Sequence, residues 1–217
     1  MRETLESGTQ AEIVEVDSSD TGLVMIPDIW GMRPLFDDLA LRLVNEWNVS
    51  VAVVEPFPTP PGESMEARFA AVPNLNDARL LGDLELAAKR LGKQRSVLIG
   101  FCMGGMYCFK ASSLEVFDRI ASFYGIIVVP ENWRGPGQRE PIQYLANGHP
   151  DRVLAVIGGK DNWTPHIDVE KLLDLGVKVA HYPEADHGFV HDALRPTHRP
   201  ADAANALAKA RDWLLGG

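Results

Sequence analysis

Ser96-Val97-Leu98-Ile99-Gly100-Phe101-Cys102-Met103-Gly104-Gly105 joins an apolar run to a cysteine flanked by glycines. A cysteine that only packs needs no glycine on either side. A nucleophile on a sharp strand-to-helix turn does need small neighbours, because the strained turn crowds its surroundings. Gly100-Phe101-Cys102-Met103-Gly104 has the pattern of the G-x-S-x-G elbow with cysteine in place of serine. Such a cysteine sits at a helix N-terminus, where the dipole favours a thiolate. Taken alone, the same residues also describe a buried structural cysteine in a glycine-rich turn. The segments on either side decide between the two.

Outward from the elbow, short runs rich in valine and isoleucine alternate with segments of helical period. The strand candidates are Glu12–Val16, Leu23–Ile26, Val49–Val54, Val97–Ile99, Ile120–Tyr124, Val153–Ile157 and Val177–His181. Continuous apolar runs of this kind suit parallel strands covered on both faces. The helix candidates are Pro34–Trp47, Asn76–Leu91, Gly104–Ser112, Pro141–Asn147, Pro165–Leu175 and Ala201–Leu215. Pro34 and Pro165 fit a first helical turn, and Gly92 and Gly176 fit helix stops. Alternation of this kind predicts an α/β fold with a mainly parallel sheet. The first strand is expected to be antiparallel, as a hairpin between residues 12–16 and 22–27 across the polar turn Asp17–Thr21. The proline-rich stretch Pro56–Gly62 reads as a rigid surface loop that helps shape a ligand site.

A nucleophile needs a base and an acid, which follow it in the order nucleophile, acid, histidine if the elbow belongs to this kind of fold. His187, in Glu184-Ala185-Asp186-His187-Gly188-Phe189, lies after the last strand and before the final helix. His149, His166, His181, His191 and His198 compete with it; His181 falls on a strand, and the others read as surface or loop residues. The acid candidate is Asp161, directly after the strand 153–157. Asp168 and Asp186 are the alternatives, the first inside a helix and the second awkwardly adjacent to His187.

The chain has 217 residues, enough for one domain with a large core and no staples. Its formal net charge of −9 argues against nucleic acid or an anionic membrane as the main partner. No signal peptide or membrane span is read, and two cysteines placed on different faces of one turn-plus-helix point to a reducing cytoplasm. No metal-ligand spacing appears, so neither a metal nor another cofactor is expected. A monomer or small homo-oligomer is expected.

The elbow, together with Ile26-Pro27-Asp28-Ile29-Trp30-Gly31, Gly82-Asp83-Leu84-Glu85 and His187-Gly188-Phe189, resembles the dienelactone hydrolase family of the α/β-hydrolase fold. Cysteine at the nucleophile, followed by paired glycines, is the mark of that family. The resemblance implies a single α/β-hydrolase domain over residues 1–217 and a Cys102–His187–Asp161 triad acting on a small-molecule ester or lactone. It implies an oxyanion hole from the backbone N–H groups of Ile29 and Met103. It places Asp28 where the family usually has a glutamate that modulates the resting cysteine. It also implies a grip on a substrate carboxylate, with Arg68 at the first of two arginine positions and His191 at the second, where the family's arginine is absent.

Two rival readings share these residues. One is a thioesterase or broad carboxylesterase on the same scaffold, with no need for a substrate carboxylate. The other is a non-catalytic binding or redox-sensing protein that uses Cys102 for oxidation chemistry.

Overall fold

A computed structural model describes residues 1–216. Its centre is an eight-stranded sheet in the order β1-β2-β4-β3-β5-β6-β7-β8. The strands are β1 (Arg2–Thr4), β2 (Gln10–Val14), β3 (Thr21–Ile26), β4 (Ser50–Val54), β5 (Arg95–Phe101), β6 (Arg119–Phe123), β7 (Val153–Gly158) and β8 (Lys178–Tyr182). From β4 to β8 every pairing is parallel. β1 and β2 are antiparallel additions at one edge.

The helices are α1 (Pro34–Trp47), α2 (Met65–Ala71), α3 (Asp77–Leu91), α4 (Met103–Lys110), α5 (Pro141–Asn147), α6 (His166–Asp174) and α7 (Pro200–Leu215). They cover both faces, so each inner strand feeds two cores. In β3, Leu23 and Met25 pack with Phe36 and Leu43 of α1 and with Ala206 of α7. Val24 and Ile26 point the other way, into the cluster with Leu80 and Leu84 of α3 and Met106 of α4. The period-two geometry of a strand therefore explains why these runs are apolar at every position.

The expected hairpin is wrong. β2 does form antiparallel, but it pairs with β4, Ala11 opposite Val54 and Val14 opposite Val51. β3 instead lies between β4 and β5. Burial explains the choice: β3 is apolar on both faces and gains most from two covered neighbours, whereas β2 alternates buried with partly exposed residues. The polar residues after β2 run across to β3, and the chain is tied down where the Val16 amide donates to Ser50 Oγ at 2.9 Å.

Two elements lie outside the sequence expectations. β1 has only three residues, too few for any period to show. α2 is short, and its one local signal is Ser64, whose hydroxyl caps the helix by accepting from the Ala67 amide at 3.1 Å. The proline-rich loop before it is not wholly a surface loop, since Phe57 is buried.

Candidate active site

β5 delivers Cys102 to the carboxyl edge of the sheet, where α4 begins. Its backbone stands at φ 57° and ψ −114°, a left-handed position that L residues avoid. Two hydrogen bonds hold it there: the Cys102 amide donates to Phe123 O at 2.9 Å, and its carbonyl accepts from the Met106 amide at 3.0 Å. The flanking glycines are there for space. A Cβ on Gly104 would stand 2.4 Å from the carbonyl oxygens of Ile26 and Pro27, and one on Gly100 would stand 2.4 Å from Gly104 O. Neither contact can be relieved by a side chain, because the obstacles are backbone. Cys102 is a partly exposed free thiol. Cys108 is buried beside Gly100, and burial pushes its thiol well above the ordinary range, which leaves it an inert packing residue.

The loops after β7 and β8 bring Asp161 and His187 together. His187 Nδ1 lies 2.8 Å from Asp161 Oδ2, and the second oxygen, Oδ1, accepts the Trp163 amide at 2.8 Å. Asp161 is thus fixed at both oxygens and is almost fully buried. Its hydrogen bond occupies Nδ1 and leaves Nε2 of the imidazole uncommitted, with Cys102 near enough to act on the charge of the ring. Burial alone would lower the His187 pKa, but charge on Cys102 and the hydrogen bond to Asp161 outweigh it and push the value up to about 10. The ring is therefore held in its protonated form at neutral pH. Asp186 binds only the His187 backbone amide, and Asp168 pairs with Lys171. Of the three acids read from the sequence, Asp161 alone meets the ring.

Near Cys102 lies a second polar chain. Asp28 is 1% exposed. It accepts two hydrogen bonds from Arg33, at 2.7 and 3.0 Å, one from the Trp30 amide at 3.0 Å, and one from His191 Nε2 at 2.9 Å. Burial opposes ionisation, yet the His191 and Arg33 hydrogen bonds hold its carboxyl well below the usual range. His191 is buried, its ring stacks on Phe36, and its Nδ1 is bonded to the Tyr124 hydroxyl. Desolvation lowers the His191 pKa, so the ring is neutral. The consistent tautomer donates from Nε2 to Asp28 and accepts at Nδ1 from Tyr124.

His191, expected to meet a substrate, has both its ring nitrogens taken up inside the protein by Tyr124 and Asp28. Asp28 is likewise bound up with Arg33 and His191 on the side away from the solvent. Tyr124 was missed by sequence reasoning. Its φ of 40° and its place one residue past β6 mark it in the structure, but a tyrosine ending an apolar strand gives no sign of either.

Arg68, read either as a surface residue or as a carboxylate grip, is 8% exposed and tied inward. Its Nε donates to Gly62 O at 2.8 Å, its Nη1 reaches Ile29 O at 3.4 Å, and its guanidinium lies over Trp30 and Phe57. It braces the loop that carries Ile29. Glu55 does the same from below: its carboxylate accepts the amides of Met32 at 2.8 Å and Phe57 at 3.1 Å. Arg195, which sequence reasoning passed over, packs across Gly188 with one amine 3.7 Å from Asp28 and keeps 28% side-chain exposure. Among the described residues no hydrogen bond uses the amides of Ile29 or Met103.

Asp28 yields a pH prediction. Its folded pKa is depressed, so its stabilising contribution is present above about pH 4 and is lost as pH falls through the lower folded value. For a paired, buried aspartate the scale is about 2 kcal/mol. The melting temperatures of wild type and Asp28→Asn should therefore differ clearly at pH 7 and converge toward pH 2. A gap that stays constant with pH would show that the charge on Asp28 contributes nothing.

The sheet order, the elbow after β5 and the acid and histidine after later strands define an α/β hydrolase. The family profile described as "Dienelactone hydrolase family" matches residues 10–215, and the chain belongs to that family. It is accordingly a carboxylic ester hydrolase of the dienelactone hydrolase type. It is 28% identical over 208 residues to a Synechocystis protein named "Putative carboxymethylenebutenolidase", covering 87% of this chain and 83% of that one. It is 28% identical over 209 residues to Carboxymethylenebutenolidase 2 of Cupriavidus pinatubonensis, covering 90% and 85%. A Klebsiella pneumoniae crystal structure titled as a "Putative Dienelactone Hydrolase" superposes with a TM-score of 0.87 at 20% identity, covering 100% of this chain and 98% of that one. That last likeness speaks to the fold. Among the described residues no helix is long and apolar enough to cross a membrane.

Proposed function

We propose that this enzyme cleaves its ester or lactone by acyl transfer through Cys102. The observation that carries the reading is the 2.8 Å Asp161–His187 hydrogen bond, which leaves the other ring nitrogen available to a cysteine held at positive φ. The sulfur of Cys102 attacks the carbonyl carbon, and the carbonyl oxygen takes up the negative charge. The amides of Ile29 and Met103 stabilise that charge, each donor contributing about 3 kcal/mol. Collapse breaks the C–O bond, with the His187 proton passing to the leaving oxygen. Water, deprotonated by His187, then attacks the thioester and releases the acid. Asp161 keeps the imidazole in the required tautomer.

Asp28 has a separate role in this reading. It sets the electrostatics of the resting site, where its negative charge is balanced by Arg33 rather than by the histidine pair. The expectation of a cytoplasmic enzyme, working as a monomer or small homo-oligomer on a small molecule, belongs to the same proposal.

Recognition of a substrate carboxylate, if the physiological ester carries one, falls to Arg195 rather than to Arg68 or His191. Arg195 keeps 28% side-chain exposure beside the site and is loosely engaged, 3.7 Å from both Asp28 and Asp192. Arg195→Ala is expected to cut kcat/KM for a carboxylate-bearing ester by about tenfold relative to a neutral ester of equal size, the worth of roughly one charge-assisted contact. Arg68→Ala should lower both rates together, because it loosens the Ile29 loop. An unchanged substrate ratio in Arg195→Ala would remove the carboxylate grip.

The direct test of the function is a panel of lactones, p-nitrophenyl acetate and acyl thioesters, run beside iodoacetamide labelling of Cys102. Turnover that labelling abolishes supports the reading. Labelling without any turnover favours redox sensing instead. A clear preference for thioesters moves the assignment to a thioesterase.

A further inference from the structure

Three loops at the carboxyl edge of the sheet each contribute one aromatic side chain to a single wall. Phe69 comes from α2, Trp133 from the segment after β6, and Trp163 from the loop that also holds Asp161. Ring centroids lie 5.9 Å apart for Phe69 and Trp133, 5.6 Å for the two tryptophans, and 6.4 Å for Phe69 and Trp163. Trp163 continues the wall to the histidine, with its centroid 6.2 Å from that of His187. The wall is closed at the back and open at the front: Trp133 is 1% exposed, whereas Trp163 is 41% exposed.

Packing alone does not account for the composition. The indole N–H of Trp133 is buried with no acceptor among the described residues, a cost that phenylalanine would avoid. Trp163 leaves a large apolar face in water although its backbone amide is fixed by Asp161. Trp163 supplies a wide π surface next to the proton donor of the proposed mechanism, and Trp133 backs it from behind.

We propose that this wall is a leaving-group subsite that stacks a planar aromatic ring, so that the preferred acyclic substrates are arylmethyl esters. The inference rests on the hydrolase reading above, since the side follows from the chemistry. His187 delivers its proton to the departing oxygen, so the departing alcohol lies on the His187 side, where Trp163 stands. Offset or edge-on ring pairs at these centroid distances gain energy beyond simple burial, which a saturated ring of equal size cannot.

The test compares benzyl acetate with cyclohexylmethyl acetate, whose leaving alcohols are similar in size and acidity. Trp163→Leu should lower the benzyl-to-cyclohexylmethyl ratio of kcat/KM by about fivefold, the scale of one aromatic stack. Trp163→Phe should restore most of it. The same ratio in wild type and Trp163→Leu overturns the subsite. Binding supplies an arm that does not depend on turnover: the Kd of benzyl acetate for Cys102→Ala, by titration calorimetry, should rise about fivefold when Trp163→Leu is added. Equal Kd values in the two backgrounds reject the subsite even where hydrolysis is seen. If neither ester is cleaved but the Kd shifts as expected, the subsite stands and the hydrolytic reading fails.

Discussion

Cys102→Ala should lose ester turnover by on the order of 10⁴-fold or more while the fold persists. In the proposed mechanism the loss is large because the thioester route ends with the sulfur, leaving only water near the two proposed oxyanion donors. The fold persists because the backbone at residue 102 donates to Phe123 O and accepts from the Met106 amide, and neither hydrogen bond uses the side chain. Alanine and cysteine also bear the φ of 57° at similar cost, since each carries a Cβ. Steady-state release of acid, together with a thermal melt, checks both halves. Hydrolysis comparable to wild type would remove Cys102 as the nucleophile. Cys108→Ala should behave in the opposite way, keeping its rate and losing about 1 kcal/mol of stability to a small cavity beside Gly100.

His187→Gln should match that loss of turnover, again by 10⁴-fold or more. It should also change the thiol chemistry in a way a packing residue would not. With the pKa of His187 pushed up to about 10, the imidazolium form persists below that pH and places a positive charge beside Cys102 through the neutral range. The pH profile of Cys102 alkylation by iodoacetamide, followed from about pH 6 to 9, should thus differ between wild type and His187→Gln. Without that positive charge, alkylation in His187→Gln should be slower than in wild type at neutral pH, and the gap should narrow as pH rises toward about 10. Parallel pH profiles in the two proteins would mean that the histidine and the sulfur are not coupled. Glutamine is a fair probe because His187 is only partly buried and its backbone amide is held by Asp186.

The elements that sequence reading located well are those governed by short-range rules. The run from Val97 to Phe101, the glycines around Cys102 and the helix after them form one local unit, and steric demand alone nearly dictates its shape. The parallel strands were legible because burial on both faces leaves no polar position. The order of acid and histidine after the elbow was legible too, since chain order is preserved whatever the loops do. What local rules could not supply was the choice of neighbour. Residues 12–16 carry no mark that says β4 rather than β3, because both have apolar faces to offer, and only the competition for a two-sided central place settles it.

Charge partners show the same division. Sequence alone determined an α/β chain with a nucleophile elbow at Cys102 and put Asp161 and His187 forward as its partners. The tertiary structure decided which acid meets the ring, because only the folded loops put Asp161 Oδ2 at 2.8 Å while Asp186 turns to the backbone. It also decided that Arg68 and His191 face inward, and it gathered Tyr124, Arg33 and Arg195 around one buried aspartate. Those groups come from distant parts of the chain, and each looks like an ordinary polar residue in its own segment. Their roles follow from desolvation and from distances of a few ångströms, and both come into being only when the sheet has brought the loops together.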